Sequence, residues 1–490
     1  MLPVVTPAEM AAADRRAIDS GTTEAVLVER AGRAVAWEAR RILGGCYGRR
    51  VVVVSGKGNN GADGEVAARV LVHWGARVEV VQIGARLDRD SVSRSVARSH
   101  LAIDAMFGTG LKGPLGGDAA WIAGELRSAG VPVLSVDIPS GVDGSTGRVA
   151  GLAVMATATT TFAALKPGLL FEPGRTHAGR VRVVGIGVEP SVGGELPPVR
   201  CTTSTDVSAV VAMNPRIRRA DVHKWTAGVL IVGGSPGMTG APLLAARAAA
   251  RAGAGMVVAG VPGITAAAAA SGTEVVVRAL PAGVDGAFDD DAGRVVVRDL
   301  AGRFACIAVG PGLGPDHRAR EAARRIVAEA QCPLVVDADG LNALAEDPAA
   351  LRVRSAGGLP RPVLTPHVGE YERLAGEAVG DDRIAAAARL AESTRSVVLL
   401  KGPGTVVASP DGRVAVCPIG GPELASAGTG DVLTGIVAAF LAFGADGFEA
   451  AAAAAWLQAE AAATAGTGAS LVAGDLVEAL GPTLGGLSSH

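Results

Sequence analysis

Aromatic side chains make up only 3% of the 490 residues, and lysine is scarcer still, with five residues among the 46 Lys and Arg. The first scarcity means that buried cores are filled mostly by Ala, Val and Leu, which a hydrophobic share of 49% supplies. The second reads as a bias that replaces Lys by Arg, so the few that remain (Lys57, Lys112, Lys166, Lys224 and Lys401) draw attention. Cysteine is also sparse. Cys46, Cys201, Cys306, Cys332 and Cys417 are odd in number, widely spaced and contain no Cys-x-x-Cys pair. That speaks against a disulfide framework or a zinc site and fits free thiols in a reducing compartment. Charge of one sign is absent too. A net charge of −2, with no basic run, gives no reason to expect a nucleic-acid partner. Glu9, Asp14, Arg15 and Arg16 occupy the place where a signal peptide needs its apolar stretch. The alanine runs Ala266–Ala270 and Ala450–Ala455 fall short of a membrane span of about 20 residues. A cytoplasmic protein without a membrane partner is expected.

Glycine (68) and proline (27) are dispersed as turns, which argues for a folded chain. A prior of about 150 residues per domain gives two to four domains, and large α/β domains favour two. In the first half the apolar runs Val51–Val54, Val78–Ile83, Leu101–Met106 and Val133–Val136 predict strands, joined by Met155–Ala164 and Val181–Val188. A helix is predicted over Gly64–Trp74. In the second half strands are predicted at Val229–Val232, Met256–Ala259, Ile307–Val309, Leu334–Val336 and Val397–Leu400. Helices are predicted at Ala241–Ala252, Arg318–Ala328 and Val432–Phe440. The alternation predicts an α/β protein with parallel sheets covered on both faces. The Gly- and Pro-rich stretch within Pro190–Thr203 marks a boundary between domains over 1–192 and 204–490, which show no internal repeat.

The strand Val51–Val54 runs into Ser55-Gly56-Lys57-Gly58-Asn59-Asn60-Gly61-Ala62-Asp63-Gly64. Such a loop lies at the carboxyl end of a parallel sheet, where ligands bind in open α/β folds. It is neither a Walker loop nor a dinucleotide fingerprint. Two further strand ends carry acids, in Asp104-Ala105-Met106-Phe107-Gly108-Thr109-Gly110 and Asp137-Ile138-Pro139-Ser140-Gly141-Val142-Asp143-Gly144. An Asp there can simply cap a turn, but parallel neighbours place all three ends on one rim. Asn60, Asp104 and Ser140 offer hard oxygens suited to an alkali or alkaline-earth ion, and Asp137 is available for proton transfer.

These three motifs, in this order, resemble the NAD(P)H-hydrate epimerase family over residues 1–190. The resemblance implies a Rossmann-like three-layer domain. It implies that Asn59, Asn60, Gly61, Ala62 and Asp63, with Gly108, Thr109, Gly110, Leu111, Lys112, Gly113 and Pro114, contact the hydrated nicotinamide nucleotide. It further implies potassium held by Asn60, Asp104 and Ser140, and Asp137 at the substrate. Ala62 stands where the family usually has Gly, which matters only if that residue needs a positive φ.

In the second half, Gly233-Gly234-Ser235-Pro236-Gly237-Met238-Thr239-Gly240-Ala241 follows a strand and opens a helix. Lys401-Gly402-Pro403-Gly404-Thr405 follows another strand, and Gly428-Thr429-Gly430-Asp431 precedes an apolar helix. Backbone N–H groups at such a helix start can hold phosphate oxygens. Asp431 is better placed as a base beside the anion than as its holder, although a first-turn acid also suits the helix dipole. The Gly-Thr-Gly-Asp start resembles the ribokinase-like superfamily. With His223-Lys224, Gly310-Pro311-Gly312-Leu313-Gly314, Asp337-Ala338-Asp339-Gly340-Leu341-Asn342 and Thr365-Pro366-His367-Val368-Gly369-Glu370 the set resembles the ADP/ATP-dependent NAD(P)H-hydrate dehydratases over residues 205–485.

That resemblance implies a ribokinase-like α/β domain in which Ala241, Gly312, His367 and Asp431 line the hydrate site. Lys401, Gly402, Pro403, Gly404, Thr405 and Gly430 would hold ADP or ATP, with magnesium on the transferred phosphate. Asp137 and Asp431 are the implied catalytic residues. Together the halves imply repair of hydrated NADH and NADPH by a homo-oligomer. Two other readings compete: a sugar or hydroxymethylpyrimidine kinase in the second half, and a non-catalytic ligand-binding module in the first. Among the lysines, Lys401 and Lys112 rank as ligand contacts, and Lys166 has no assigned role.

Overall fold

Val51, Val52, Val53 and Val54 are all at most 2% exposed, which a strand achieves only when both faces of its sheet are covered. The computed structural model, which describes residues 1–84, 86–191, 197–218, 220–263 and 274–487, supplies that cover. Val192, the expected end of the first domain, lies outside the described residues, as do Ala266–Ala270 and His490. The chain divides into two compact units, Leu2–Arg200 and Cys201–His490, with Met1 grouped in the second.

In the first unit, strands β1 (Arg50–Ser55), β2 (Arg77–Gln82), β3 (Leu101–Ala105), β4 (Val133–Val136), β5 (Ala158–Phe162) and β6 (Arg180–Val184) form a sheet in the order β2-β1-β3-β4-β5-β6. All of these pairings are parallel. Helices α1 (Pro7–Asp19), α2 (Glu24–Leu43), α3 (Asn59–His73), α4 (Arg89–Ala97) and α5 (Gly117–Ala129) surround it. The pleat sends alternate residues to opposite faces. Val51 and Val53 join Leu27, Val35 and Leu71 in one core, while Val52 and Val54 join Val92, Val96, Ile122 and Leu126 in another. The result is a Rossmann-like three-layer domain.

In the second unit, β7 (Gly228–Val232), β8 (Met256–Pro262), β9 (Val276–Leu280), β10 (Cys306–Val309), β11 (Leu334–Val336), β12 (Val363–Leu364), β13 (Val397–Leu400), β14 (Thr405–Ala408) and β15 (Val414–Cys417) run in the order β15-β14-β13-β12-β11-β10-β7-β8-β9. Helices α6 (Gly240–Arg251), α7 (His317–Glu329), α8 (Asp339–Glu346), α9 (Val368–Ala375), α10 (Arg383–Thr394), α11 (Thr429–Ala442) and α12 (Gly447–Ala465) accompany them. Val229 and Ile231 pack with Ala245, Ala249, Ile436 and Phe440. Helix α11 is buried from Val432 to Ala442, so it runs through the core and its first turn is anchored.

Several predicted elements shift. The helix expected from Gly64 begins at Asn59, because Gly58 is extended and acts as its N-cap. Asn59–Asp63 is therefore the first helical turn, not a loop. Likewise α11 begins at Thr429, with Gly428 in the left-handed region before it. The strands expected over Met155–Ala164 and Val181–Val188 are shorter, at Ala158–Phe162 and Arg180–Val184. The sheet of the second unit is not wholly parallel: β13, β14 and β15 pair antiparallel around the Lys401–Thr405 turn. The four residues Lys401–Gly404 connect β13 to β14 without a crossover helix, as antiparallel neighbours allow. All five cysteines are free, and four are buried. Among the described residues, no helix is long and apolar enough to cross a membrane.

Candidate active sites

The carboxyl ends of β1, β3 and β4 bring the three motifs of the first unit together around a cavity of about 620 Å³. Asn59, Asn60, Asp63, Gly108, Thr109, Gly110, Leu111, Lys112 and Asp137 line it. Gly61, Ala62, Gly113, Pro114, Asp104 and Ser140 are not among the lining residues. Gly61 has a structural duty instead, since a Cβ there would stand 2.0 Å from the carbonyl oxygen of Gly56. Ala62 lies in helical backbone without a positive φ, so its methyl is accommodated. Asn60 Oδ1 and Asp137 Oδ2 face each other across Gly108, where an added Cβ would sit 3.1 and 3.5 Å from them.

Asp137 has φ 64°, a left-handed conformation that is uncommon for a residue with a side chain. Its Oδ1 accepts hydrogen bonds from Lys166 Nζ at 2.7 Å and Thr161 Oγ1 at 3.0 Å. Lys166 Nζ also donates to Thr161 Oγ1 and the Phe162 carbonyl, so all three of its protons have acceptors. Lys166 is 1% exposed and lines the cavity. Asp14 joins the cavity from α1, whose start is fixed by a capping box between Thr6 and Glu9. Burial raises Asp14, with Lys166 opposing and Asp137 adding to the effect. Burial, then the negative charges of Asp137 and Asp14, push Asp63 up to about 8. Sequence reasoning missed Asp14 and gave Lys166 no role.

Asp104 lies beneath this cavity rim and is fully buried. Ser135 Oγ, Ser140 N, Ser140 Oγ and Met106 N donate to its carboxylate at 2.9, 2.9, 2.6 and 3.3 Å. Burial still raises its affinity for a proton above the ordinary range. No basic side chain pairs with it among the described residues. Asn60 Nδ2 is buried without a hydrogen-bond partner.

In the second unit the organising group is Lys401, at the end of β13. Its ammonium is 2.8 Å from Asp337 Oδ1 and 3.6 Å from Glu370 Oε2. A Cβ on Gly430 would come within 3.5 Å of the same nitrogen, which places the α11 start beside it. Burial alone would raise Asp337, but Lys401 and the hydroxyls of Thr434 and Thr365, each donating at 2.7 Å, hold it below the usual carboxylate range. Burial would lower Lys401, and Asp337, Glu370 and Asp431 outweigh it and raise it. Burial and the nearby Asp337 push Asp431 up to about 7, against the pull of Lys401.

The remaining predicted residues converge on this rim by different routes. His367 caps α9: its Nδ1 accepts from Glu370 N at 3.2 Å, and Glu370 Oε2 accepts from His367 N at 2.8 Å. Its ring is half exposed. Ser235 Oγ donates to the Gly312 carbonyl at 3.0 Å, and Gly312 packs against Ala241 at the start of α6. Helix α6 packs in turn on α11. Gly402 and Gly404 take positive φ in the turn that leads to Thr405. Sequence reasoning assigned no role to Asp337 or Glu370, although both lie in its motifs.

Each unit thus gathers carboxyl groups around one buried or largely buried lysine at the carboxyl end of its sheet. That is the arrangement of a two-site α/β enzyme performing acid–base chemistry. The comparisons give this class its identity. A family model described as NAD(P)H-hydrate dehydratase matches residues 229–481, and one described as YjeF-related protein N-terminus matches 24–96 and 82–168. The bifunctional NAD(P)H-hydrate repair enzyme of Salinibacter ruber is 40% identical over 92% of this chain and 90% of its own. That of Moorella thermoacetica is 39% identical over 89% of this chain and 87% of its own. A solved Bacillus subtilis ADP/ATP-dependent NAD(P)H-hydrate dehydratase, co-crystallised with ATP and Mg²⁺, is 28% identical over 59% of this chain and 99% of that one, with a TM-score of 0.49. The chain belongs to the family of bifunctional NAD(P)H-hydrate repair enzymes.

Proposed function

We propose that the first unit epimerises the R and S hydrates of NADH and NADPH and that the second dehydrates the S epimer with ADP or ATP. The observation that carries the reading is the convergence of each motif set on one rim of its own sheet, with Asp137 and Asp431 at the two centres. In the second unit Asp431 takes the proton of the substrate hydroxyl as its oxygen attacks the terminal phosphorus of the nucleotide. The bond from phosphorus to the nucleotide oxygen breaks. Phosphate, a far better leaving group than hydroxide, then departs with the C–O electron pair. A proton leaves the adjacent carbon and the ring double bond returns. A carboxyl near 7 suits a base working at neutral pH. Lys401, Gly402, Pro403, Gly404, Thr405 and Gly430 form the nucleotide side, and Ala241, Gly312 and His367 the hydrate side. Magnesium would arrive on the phosphates and neutralise part of the charge they carry, beside Lys401 and Asp431.

In the first unit, Asn59, Asn60, Asp63 and Gly108–Lys112 bind the hydrated ring and its nucleotide, and Asp137 exchanges a proton with it. Hard donors suited to potassium are present: a buried carboxyl without a basic partner among the described residues, the Ser140 hydroxyl that meets it, and the amide oxygen of Asn60, which turns toward the cavity beside Gly108. Asp104, Ser140 and Asn60 would hold the ion, which supplies a fixed positive charge under the site. Cytoplasmic residence and assembly as a homo-oligomer belong to the same reading, and sedimentation of the purified chain tests the second.

Purified protein, an equal mixture of both hydrate epimers and ADP or ATP provide the test. Full conversion to the dinucleotide supports both units. Arrest at the S fraction supports only the second, and phosphorylation of a sugar with no hydrate cleared refutes the assignment.

A further inference from the structure

We infer that Asp63 is the proton donor of the epimerase reaction and that Lys166 is the positioning residue that makes Asp137 the base opposite it. The inference rests on the epimerase reading above and deepens it. Four carboxyls and three lysines line the cavity; Glu24, Lys57 and Lys112 are exposed to solvent, while Asp14, Asp63 and Asp137 share its less exposed part with Lys166. Three carboxylates and one buried ammonium leave excess negative charge in a poorly solvated space, so they do not all ionise together. Asp137 is in direct contact with the ammonium and accepts two hydrogen bonds. Asp63 is 7% exposed, has no hydrogen-bond partner among the described residues and touches no cation. It is the group that keeps its proton, in line with its value of about 8. Asp63 stands beyond β1 and Asp137 beyond β4, with β3 between them. The two carboxyls therefore reach the one cavity from separate elements, and the negative charge of Asp137 acts on Asp63 across it.

The hydrated ring carries its hydroxyl on a carbon bonded to the ring nitrogen. Asp63 gives its proton to that oxygen, and the C–O bond breaks with its electron pair leaving on water. The nitrogen lone pair forms a C=N bond. A water on the other face adds to the carbon, Asp137 takes its proton, and the C=N pair returns to nitrogen. One water leaves and one enters. The reverse reaction runs with the two carboxyls exchanged, as microscopic reversibility requires.

The test uses the full chain and measures two rates in each sample: clearance of the S hydrate with ADP or ATP, and conversion of the R hydrate in its absence, followed by NMR. Asp63→Asn is expected to lower kcat for R conversion about 100-fold or more, with KM little changed. It is also expected to abolish the fall in wild-type activity above about pH 8. Lys166→Met is expected to lower the same kcat and move the acidic limb of its pH profile upward, while Lys166→Arg restores part of the rate and the profile. Wild-type R conversion that is absent refutes the epimerase reading itself. Wild-type conversion that persists unchanged in Asp63→Asn, or a Lys166→Met enzyme with the wild-type profile, overturns the inference alone. S clearance at the wild-type rate and a cooperative melting transition of the first unit show that a variant is folded. If Lys166→Met fails that check, the comparison of Lys166→Arg with Asp63→Asn decides.

Discussion

Asp431→Asn is expected to separate activity from stability in the second unit, in opposite directions. The carboxyl titrates near 7 in the folded protein, against a usual value of 3.8. Its folded-state value lies above its unfolded one, so the folded state holds the extra proton between the two. Stability therefore falls as pH rises through that window. Each tenfold in proton affinity is worth about 1.4 kcal/mol, so the native carboxylate costs about 4 kcal/mol at pH 8 and about 1.7 kcal/mol at pH 5. Asparagine has the same shape and no charge. After the desolvation of its amide, the variant should gain about 2–4 kcal/mol at pH 8 and much less at pH 5. In calorimetry, that gain corresponds to an upward shift of about 5–10 °C in the transition of the second unit at pH 8. Dehydration of the S hydrate should meanwhile fall about 100- to 10,000-fold, the usual loss of a general base. A variant with wild-type stability at both pH values would refute the electrostatic reasoning. A stabilised variant with wild-type turnover would leave the electrostatics standing and remove Asp431 from the chemistry.

Neighbouring positions in the first unit should respond in opposite ways. Gly61→Ala puts a methyl 2.0 Å from the Gly56 carbonyl, a backbone atom that cannot swing aside, so R conversion should drop at least about tenfold while S clearance is kept. Ala62→Gly should cost about 0.5–1 kcal/mol in a denaturation experiment and leave R conversion unchanged. Asp104→Asn should make R conversion insensitive to exchange of potassium for choline in the buffer, whereas the wild-type rate should follow potassium. Equal potassium dependence in both proteins would argue against that ion site.

What could be read from the sequence followed from local pattern. The strand ends Ser55, Asp104 and Val136 carry polar motifs directly after apolar runs, and parallel neighbours align such ends whatever the exact strand order. Helix starts were harder to place. Asn59 and Thr429 have weak apolar period around them, and the glycine before each is what sets the helix boundary. The antiparallel turn at Lys401–Thr405 was hidden because Thr405–Ala408 is too short to announce its direction. The lysines show the limit most sharply. Lys57 and Lys112 do line the cavity, yet neither makes the contact that organises it. Lys166 meets Asp137 across 29 residues, through the pairing of β4 with β5 and the short return after β5. No periodicity encodes that contact, because it depends on which strands become neighbours. Scarcity was the only local sign. Where Arg replaces Lys almost throughout, a retained lysine in a fully buried place with three short-range acceptors is explained by the compact ammonium itself, since a guanidinium brings five donors and more bulk to the same space.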